Sequence, residues 1–562
     1  MGDNSSCGFS ATERAGARPP EPTLSQPHRR RPELPVKWII VTGGVLSGLG
    51  KGVATASIGN LLSGSYRVIP IKCDGYLNVD PGTMNPTEHG EVFVLDDGGE
   101  VDMDFGHYER FLGVTCKFEW NLTMGKVYER IREAERRGDY LGRTVQLIPH
   151  VTDYIKGWWR TIAEEEEADI ILVEIGGTVG DIENELYIEA ARQLKRDVGP
   201  DNIMYVHLTY VPKPEHVNEQ KSKPTQQSVT LLRQRGILPD VILARCHHPL
   251  DERMKEKIAT FCDVTAERVL SATDIDSVYK IPLNFAQQGM LRIIDEKLHV
   301  NHLTEDSRWA ELVQRLNAKH QRRITIAIAG KYTKLEDSYA SVVEALRHCQ
   351  AAFDVAIDLK WLETSEEHDL AKEMEGVDGV IVPGGFGIRG VEGKIAMVKY
   401  CREHDIPYLG LCFGLQMAVI EFARNVCGLN AANSTEVDEK TPHPVVDILP
   451  DQKNVKKKGG TMRLGAYPAV LKKGSIVHAL YGRDTASERH RHRYEVNPEY
   501  HKVLQEHGLV FSGMSPDGTL VEFIENPQLR YFAATQAHPE LKSSLLKPAP
   551  LFYGLVKACL EK

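Results

Sequence analysis

Short apolar runs, each closed by glycine or a polar loop, recur through the first half of the chain at residues 39–41, 68–71, 169–175, 206–211, 241–244 and 268–271. The stretches between them carry apolar residues at helical spacing. Runs of this length read as buried strands, and their alternation with helices predicts a parallel sheet. Residues 291–322 are charged and helix-like, without a strand signal. A fresh series starts at Ile324 (I-T-I-A-I-A-G) and continues at 380–383, in 406–423 and at 532–535. The pattern predicts an α/β protein of two doubly wound parallel-sheet domains, 36–290 and 323–562, joined by a linker at 291–322. The most apolar stretch, 406–423, contains Gly410, Gly414, Gln416 and Glu421. It reads as strand, turn and helix, not as a membrane span.

The run I-I-V-T-G-G-V-L-S-G-L-G-K-G (39–52) ends the first strand in five glycines within ten residues. Strand, glycine loop and helix make a phosphate cradle: backbone N–H groups approach the anion, and the helix start adds about half a positive charge. Lys51 is placed to reach the outer phosphates. An ordinary P-loop has glycine five residues before its Gly-Lys pair and Ser or Thr after it; here Val45 and Gly52 stand there. The hydroxyl that usually meets magnesium is missing, so carboxylates must hold the metal. Asp102 and Asp104 follow a strand, and Glu174 ends the buried run D-I-I-L-V-E-I before G-G-T-V-G-D-I-E. Ligands gather at the carboxyl ends of such strands, which makes Asp104 and Glu174 the candidate magnesium ligands. A bare glycine turn and a solvated acidic pair are the plain alternatives. Lys221, Lys223 and Gln226 suit an anionic ligand or, equally, a wet loop.

The second half holds a different chemistry. Gly410-Leu411-Cys412-Phe413-Gly414 is an elbow between an apolar strand and a helix. Such a turn presents the thiol at a helix start, where the dipole favours the thiolate. Q-A-H-P-E (536–540) supplies His538 as base and Glu540 as the acid that orients it. Gly385, in the upstream G-G-F-G, and the backbone after Cys412 are candidate oxyanion donors. The alternative is a cysteine packed as a small hydrophobe. In E-R-H-R-H-R-Y (488–494), His490 and His492 suggest zinc, but the interleaved arginines favour a carboxylate or phosphate.

Composition narrows the picture only a little. The chain has 562 residues, 42% hydrophobic and 26% charged, which is ordinary for a globular protein of several domains. A net charge of -10 argues against wholesale nucleic-acid binding. Ten cysteines without C-x-x-C pairs point to a reducing, cytoplasmic setting. Residues 1–35, rich in Pro, Arg, Ser and Gly, read as a disordered tail without a secretory apolar core. Arg29, Arg30 and Arg31 there are a solvated run or a targeting patch.

With both sets of residues in view, the chain closely resembles the CTP synthase family from about Lys37 to its C-terminus. The motifs are G-G-V-L-S-G-L-G-K-G, N-V-D-P-G-T-M, V-E-I-G-G-T-V-G-D-I-E, K-S-K-P-T-Q, P-G-G-F-G-I-R-G-V-E-G, N-S-T-E, G-G-T-M-R-L-G and R-H-R-H-R-Y-E-V. The resemblance implies a synthetase domain fused to a class I glutamine amidotransferase domain. It implies ATP-dependent amination of UTP to CTP with ammonia from glutamine, activation by GTP and inhibition by CTP. It also implies Mg²⁺, a homotetramer, and no nucleic acid or membrane partner. By resemblance, ATP would meet Gly48, Leu49, Gly50, Lys51, Gly52, Val53, Asp104 and Ile275, with Asp104 and Glu174 on Mg²⁺. UTP or CTP would meet Ser47, Asp181, Ile182, Glu183, Lys221, Ser222, Lys223, Pro224, Thr225, Gln226 and Lys257. Cys412, His538 and Glu540 would form the triad. Gly385, Phe413, Gly414, Leu415, Gln416, Glu436 and Arg493 would hold glutamine, and Arg389 would belong to a lid linked to GTP. Departures from the family pattern are S-G-L-G-K-G, Asp74-Gly75-Tyr76, Thr273 and Ala537. Thr273 puts one nucleotide contact in question, and Ala537 the packing around His538. Two other classes stay open: a cobyrinate-type amidating ligase and a non-catalytic assembly subunit.

Overall fold

Seven short, mostly buried runs form one parallel sheet in the computed structural model. They are β1 (Lys37–Gly43), β2 (Val68–Asp74), β5 (Asn121–Thr123), β6 (Ile170–Ile175), β7 (Ile203–Tyr210), β8 (Val241–Cys246) and β9 (Val269–Thr273). Two intervening two-residue strands, β3 (Phe93–Val94) and β4 (Glu100–Val101), pair as an antiparallel ribbon. The sheet order is β5-β2-β6-β1-β7-β8-β9, so the glycine loop leaves from the sheet's centre. Register then decides which side chains share an edge: Val41 and Lys72 both lie opposite Glu174. The structure describes residues 35–561 apart from 83, 85–89, 218, 302–305, 331–338, 365–368, 386 and 449–461. The tail expected at 1–35, with its three arginines, lies outside the described residues except for Pro35.

A second sheet begins with β10 (Arg323–Gly330), β11 (Ala356–Glu363), β12 (Gly379–Val382) and β13 (Tyr408–Leu411). After β14 (Asn433–Ser434) and β15 (Pro444–Ile448) come β16 (Arg463–Leu471), β17 (Thr485–His492) and β18 (Tyr494–Val496). The chain ends its strands with β19 (Val510–Met514), β20 (Val521–Glu525) and β21 (Phe532–Thr535). The order is β11-β10-β12-β13-β21-β20-β19-β16-β17, while β14, β15 and β18 form a small sheet apart. The first five strands are parallel, as the α/β expectation requires. The other four are antiparallel, an addition the pattern did not announce. Leu411 of β13 lies opposite Thr535 of β21, so the segments that follow, with Cys412 and His538, leave the sheet side by side.

Burial joins what the pattern separates. The stretch 291–322 contributes to the helices Met290–Leu298 and Ser307–Leu316, the latter capped by Asp306, whose carboxylate accepts from the Arg308 and Trp309 N–H groups. Trp309, Val313 and Leu316 are buried in a core that runs from Ile39 through Phe111 and Phe285 to Leu541 and Leu545. The chain from Val36 onward is one compact unit. Among the described residues, no helix is long and apolar enough to cross a membrane, and the nine cysteines are all free.

Candidate active sites

The glycine loop adopts a conformation that its glycines permit. Gly48 and Gly50 have φ of 75° and 89°, in the left-handed region. Val45 shares it at φ 80°, a strained position for a β-branched residue. The helix Lys51–Ser63 starts there. Lys51 Nζ donates to the Gly177 carbonyl at 2.8 Å, tying the loop to the turn after β6. Burial lowers the Lys51 pKa, against the pull of Glu174.

Beside Lys51, an ammonium sits among carboxylates. Lys72 Nζ bonds Asp104, lies 3.4 Å from Glu174 Oε1 and 3.9 Å from Asp102 Oδ1. The Tyr108 hydroxyl donates to Glu174 Oε2 at 2.5 Å. Burial disfavours the Lys72 charge, but the surrounding carboxylates outweigh it and hold its pKa well above the ordinary value. Burial also pushes Asp74 up to about 7; Lys72 opposes, while Asp102 and Glu174 add. Gly52 explains the missing hydroxyl: a Cβ built there would lie 1.9 Å from Asp104 Oδ1. The aspartate occupies the space that a P-loop Ser or Thr would fill. Asp104 and Glu174 thus converge on one cation with hard oxygen donors. Among the described residues no cluster of three such side chains is arranged for a metal. Two carboxylates still suit Mg²⁺, which completes its shell with phosphate and water. An open cleft adjoins the loop, walled by Leu49, Val53, Ile275, Val278, Ile281 and Phe285. Its apolar walls beside a phosphate cradle suit a purine nucleotide.

The remaining nucleotide candidates separate into buried supports and exposed charges. Asp181 Oδ2 accepts from the Thr178 N–H at 3.0 Å, and Ile182 is exposed. Gly75 packs on Glu183: a Cβ there would meet the Glu183 backbone at 2.9 Å. Lys223 and Pro224 open the helix Lys223–Gln234. Thr225 donates to the Tyr210 carbonyl at 3.1 Å and Gln226 to Ser222 Oγ at 3.1 Å, so these three side chains brace the segment. Lys221 pairs with Glu219 at 2.7 Å. Ser47, Lys223 and Lys257 are exposed. Lys257 shares a cleft with Lys213 and Arg253 whose lining does not include Lys223.

At the second sheet Cys412 has φ 50° and ψ -101° and directly precedes the helix Phe413–Asn425. Its N–H donates to the Thr535 carbonyl at 2.7 Å. Gly414 is required, because a Cβ would lie 2.1 Å from the Val382 carbonyl oxygen. His538 Nδ1 lies 2.7 Å from Glu540 Oε1. Burial disfavours the charged ring, but the Glu540 carboxylate and then the Cys412 sulfur, to which it hydrogen-bonds, hold His538 well above its ordinary pKa. Gly384 flanks both: its added Cβ would meet His538 Cε1 at 2.8 Å and Cys412 Cβ at 3.7 Å. This is a thiol–imidazole–carboxylate set whose base is held toward its charged form. Gln416 Oε1 is buried without a hydrogen-bond partner beside it, although Gln416 Nε2 donates to the Tyr494 carbonyl at 3.0 Å. Such an orphan acceptor suits the polar end of a small ligand. Glu436 Oε1 accepts from the Gly387 N–H at 2.8 Å, joining the glycine turn to the N-S-T-E segment. Leu415 is fully buried, Gly385 is half-buried with Lys394 Nζ nearby, and Arg493 joins β17 to β18. Exposed Arg389 lies 3.6 Å from Glu363.

His490 and His492 are not arranged as a metal pair. Their rings contact each other at 2.9 Å, and burial and then Arg463 hold both far below the ordinary value. The neighbouring arginines do meet carboxylates, but this chain's own: Arg489 meets Asp96 and Glu109, and Arg491 meets Glu100. The pattern gave no role to Lys72, Tyr108 or Gly384. Tyr108 stands four residues, one helical turn, after Asp104, and that spacing was the available signal.

Comparison with known proteins agrees in both halves. The family model described as CTP synthase N-terminus matches residues 37–300, and that of glutamine amidotransferase class-I matches 334–558. A CTP synthase of Pyrococcus abyssi is 53% identical over 93% of this chain and 98% of its own. One of Methanococcus maripaludis is 52% identical over 94% of this chain and 100% of its own. Among solved structures, a glutaminase domain of Trypanosoma brucei CTPS with bound acivicin is 41% identical. It covers 42% of this chain and 94% of its own, with a TM-score of 0.40.

Proposed function

The chain belongs to the CTP synthase family of glutamine-hydrolysing ligases, and from that premise we propose how its residues divide the work. The observation that carries the reading is the pairing on one compact chain of a Cys–His–Glu set with a phosphate loop beside converging carboxylates. In this reading residues 36–290 form the synthetase domain, 291–322 the linker and 323–562 the amidotransferase domain. ATP lies on the loop 48–53 with its base in the apolar cavity near Ile275 and its phosphates toward Lys51. Asp104 and Glu174 hold Mg²⁺, which when bound neutralises charge on the phosphoryl group. Lys72 fixes both carboxylates and adds its own positive charge at that point.

The uracil 4-oxygen is a poor leaving group. Transfer of the ATP γ-phosphoryl group to it makes phosphate the leaving group, and ammonia then takes its place at the ring carbon. Ammonia is mostly ammonium in neutral water, so its release inside the protein keeps it nucleophilic. Cys412 attacks the glutamine amide, His538 moves the proton to the departing ammonia, and water hydrolyses the thioester. Gly385 and the backbone after Cys412 stabilise the oxyanion. Gly414, Leu415, Gln416, Glu436 and Arg493 hold the rest of glutamine.

UTP lies on Ser47, the 181–183 turn, Lys221–Gln226 and Lys257. UTP and CTP differ only at the pyrimidine 4-position, so the triphosphate contacts serve both and CTP competes with UTP. GTP acts through the Arg389 segment to favour glutamine hydrolysis. The active form is a cytoplasmic homotetramer; the free cysteines support a reducing compartment. One assay tests the reading: CTP formation from glutamine and from added ammonia at raised pH. Cys412→Ala should abolish the first and leave the second within about twofold; loss of both in a folded protein would refute the division. With wild type, GTP should raise only the glutamine-dependent rate, and CTP should raise the apparent KM for UTP. Gel filtration should give four copies.

A further inference from the structure

Ammonia released with no activated acceptor waiting is lost, so the proposed function needs the amidotransferase base to respond to the phosphoryl site. One short helix is built for that. Asp104, at the start of the helix Asp104–Leu112, bonds Lys72, and Tyr108 on the same helix donates to Glu174. The next residue, Glu109, points the other way. Its carboxylate accepts two bonds from the Arg489 guanidinium, at 2.8 and 2.9 Å. The Cys116 N–H, at 2.8 Å from Glu109 Oε1, fixes it further. Arg489 Nε also donates to Asp96 at 2.5 Å, and the arginine side chain is 2% exposed.

The backbone of that arginine holds the base. The Arg489 carbonyl accepts the His538 N–H at 2.7 Å, and the Arg491 carbonyl lies 4.0 Å from Cys412 Sγ. Asp96 secures the far end of the same turn, because its second oxygen accepts from Lys542 at 3.0 Å. The turn that carries His538 and Glu540 is therefore anchored at both ends to the half that carries the phosphate loop. A buried ion pair adds little net stability against an apolar replacement, but a two-bond guanidinium–carboxylate pair fixes geometry.

We propose that Glu109 and Arg489 are positioning residues that couple glutamine hydrolysis to occupancy of the nucleotide site: displacement of the helix Asp104–Leu112 by bound nucleotide shifts Arg489 and thereby the backbone partner of His538. This rests on the function proposed above. The test uses full-length protein with Glu109→Gln, which keeps shape and one acceptor but removes the charge. Glutamate release is measured with and without ATP plus UTP, and CTP formation is measured from added ammonia. Wild type should hydrolyse glutamine faster with the nucleotides present. In Glu109→Gln that stimulation should fall at least about tenfold through kcat, with KM for glutamine unchanged. Basal hydrolysis and ammonia-dependent synthesis should stay within about twofold. Asp96→Asn, a milder change, should act in the same direction and serves as the test if Glu109→Gln does not fold. The inference is overturned if the variants keep full stimulation, if basal and stimulated hydrolysis fall equally, if ammonia-dependent synthesis falls in step, or if wild type shows no stimulation. A wild type that makes no CTP from either source would instead overturn the function.

Discussion

Cys412 holds a backbone conformation that a non-glycine residue avoids, and it does so between a fixed N–H partner and a helix start. Strain at the proposed nucleophile is maintained by the packing around it, here Gly414 against Val382 and Gly384 against His538. The His538 ring is held toward its charged form because the Glu540 carboxylate, first, and the Cys412 sulfur, second, outweigh the cost of burial. That order makes a prediction. Followed by NMR, the ring should titrate at lower pH in Cys412→Ala and lower still in Glu540→Gln. A larger effect of the cysteine change would contradict it. The sign for stability follows from the raised value. The ion pair stabilises fully below the ring's unfolded pKa of about 6.5 and loses that contribution as pH rises through the folded value. Chemical denaturation across that window should show wild type losing its margin over Glu540→Gln as pH rises.

The two turns that follow β1 and β13 use different devices at the same place in their sheets, the carboxyl end of a parallel strand. At the first, a glycine after Lys51 leaves room for a carboxylate from another helix. Gly52→Ser would restore the ordinary P-loop residue, but its Cβ would lie within 2 Å of Asp104 Oδ1. The expected outcome is loss of ammonia-dependent CTP synthesis by at least about 10²-fold, equivalent to roughly 2.7 kcal/mol in the barrier. Glutamine hydrolysis at Cys412 should persist. A Gly52→Ser enzyme with near-normal synthesis would mean that Asp104 is free to move and does not need that space. The parallel strands were legible because they are continuous apolar runs beside glycine, and so were Lys51, Cys412 and His538, which stand at the ends of such runs. The antiparallel strands β16 and β17 were not. β17 carries buried Arg489, His490 and His492, which read as a site for an external carboxylate or phosphate until Asp96 and Glu109 are brought against Arg489 from almost 400 residues away. Lys72 was hidden for a similar reason: only the register of β2 with β6 puts it opposite Glu174.

Across the whole molecule, the sequence suggests two domains and a charged connector, yet the connector's helix supplies a keystone. Trp309 is buried against Phe111 and Tyr279, with ring centroids 5.2 and 5.7 Å away, and its indole N–H donates to the Tyr279 carbonyl at 3.0 Å. Phe111 lies on the helix that begins with Asp104. Tyr279 lies beside the apolar cavity wall, and its hydroxyl meets Glu344 at 2.5 Å and His348 at 2.6 Å, both on the helix Ala340–Phe353 of the second half. His348 in turn meets Ser543 Oγ at 2.8 Å, just past the turn that holds His538 and Glu540. One tryptophan thus supports the nucleotide side and the amidotransferase side together. Trp309→Ala should cost about 3–5 kcal/mol of stability, the usual range for emptying a buried aromatic site. Because the core beneath it is shared, the loss should be felt everywhere at once. Calorimetry should show one unfolding transition in wild type and the same single transition at lower temperature in the variant. Near that lowered midpoint, glutamine-dependent and ammonia-dependent synthesis should decline together, unlike in Cys412→Ala, where only the first is lost. Two resolved transitions, with only one displaced by the substitution, would show that the halves fold independently and that Trp309 belongs to one of them.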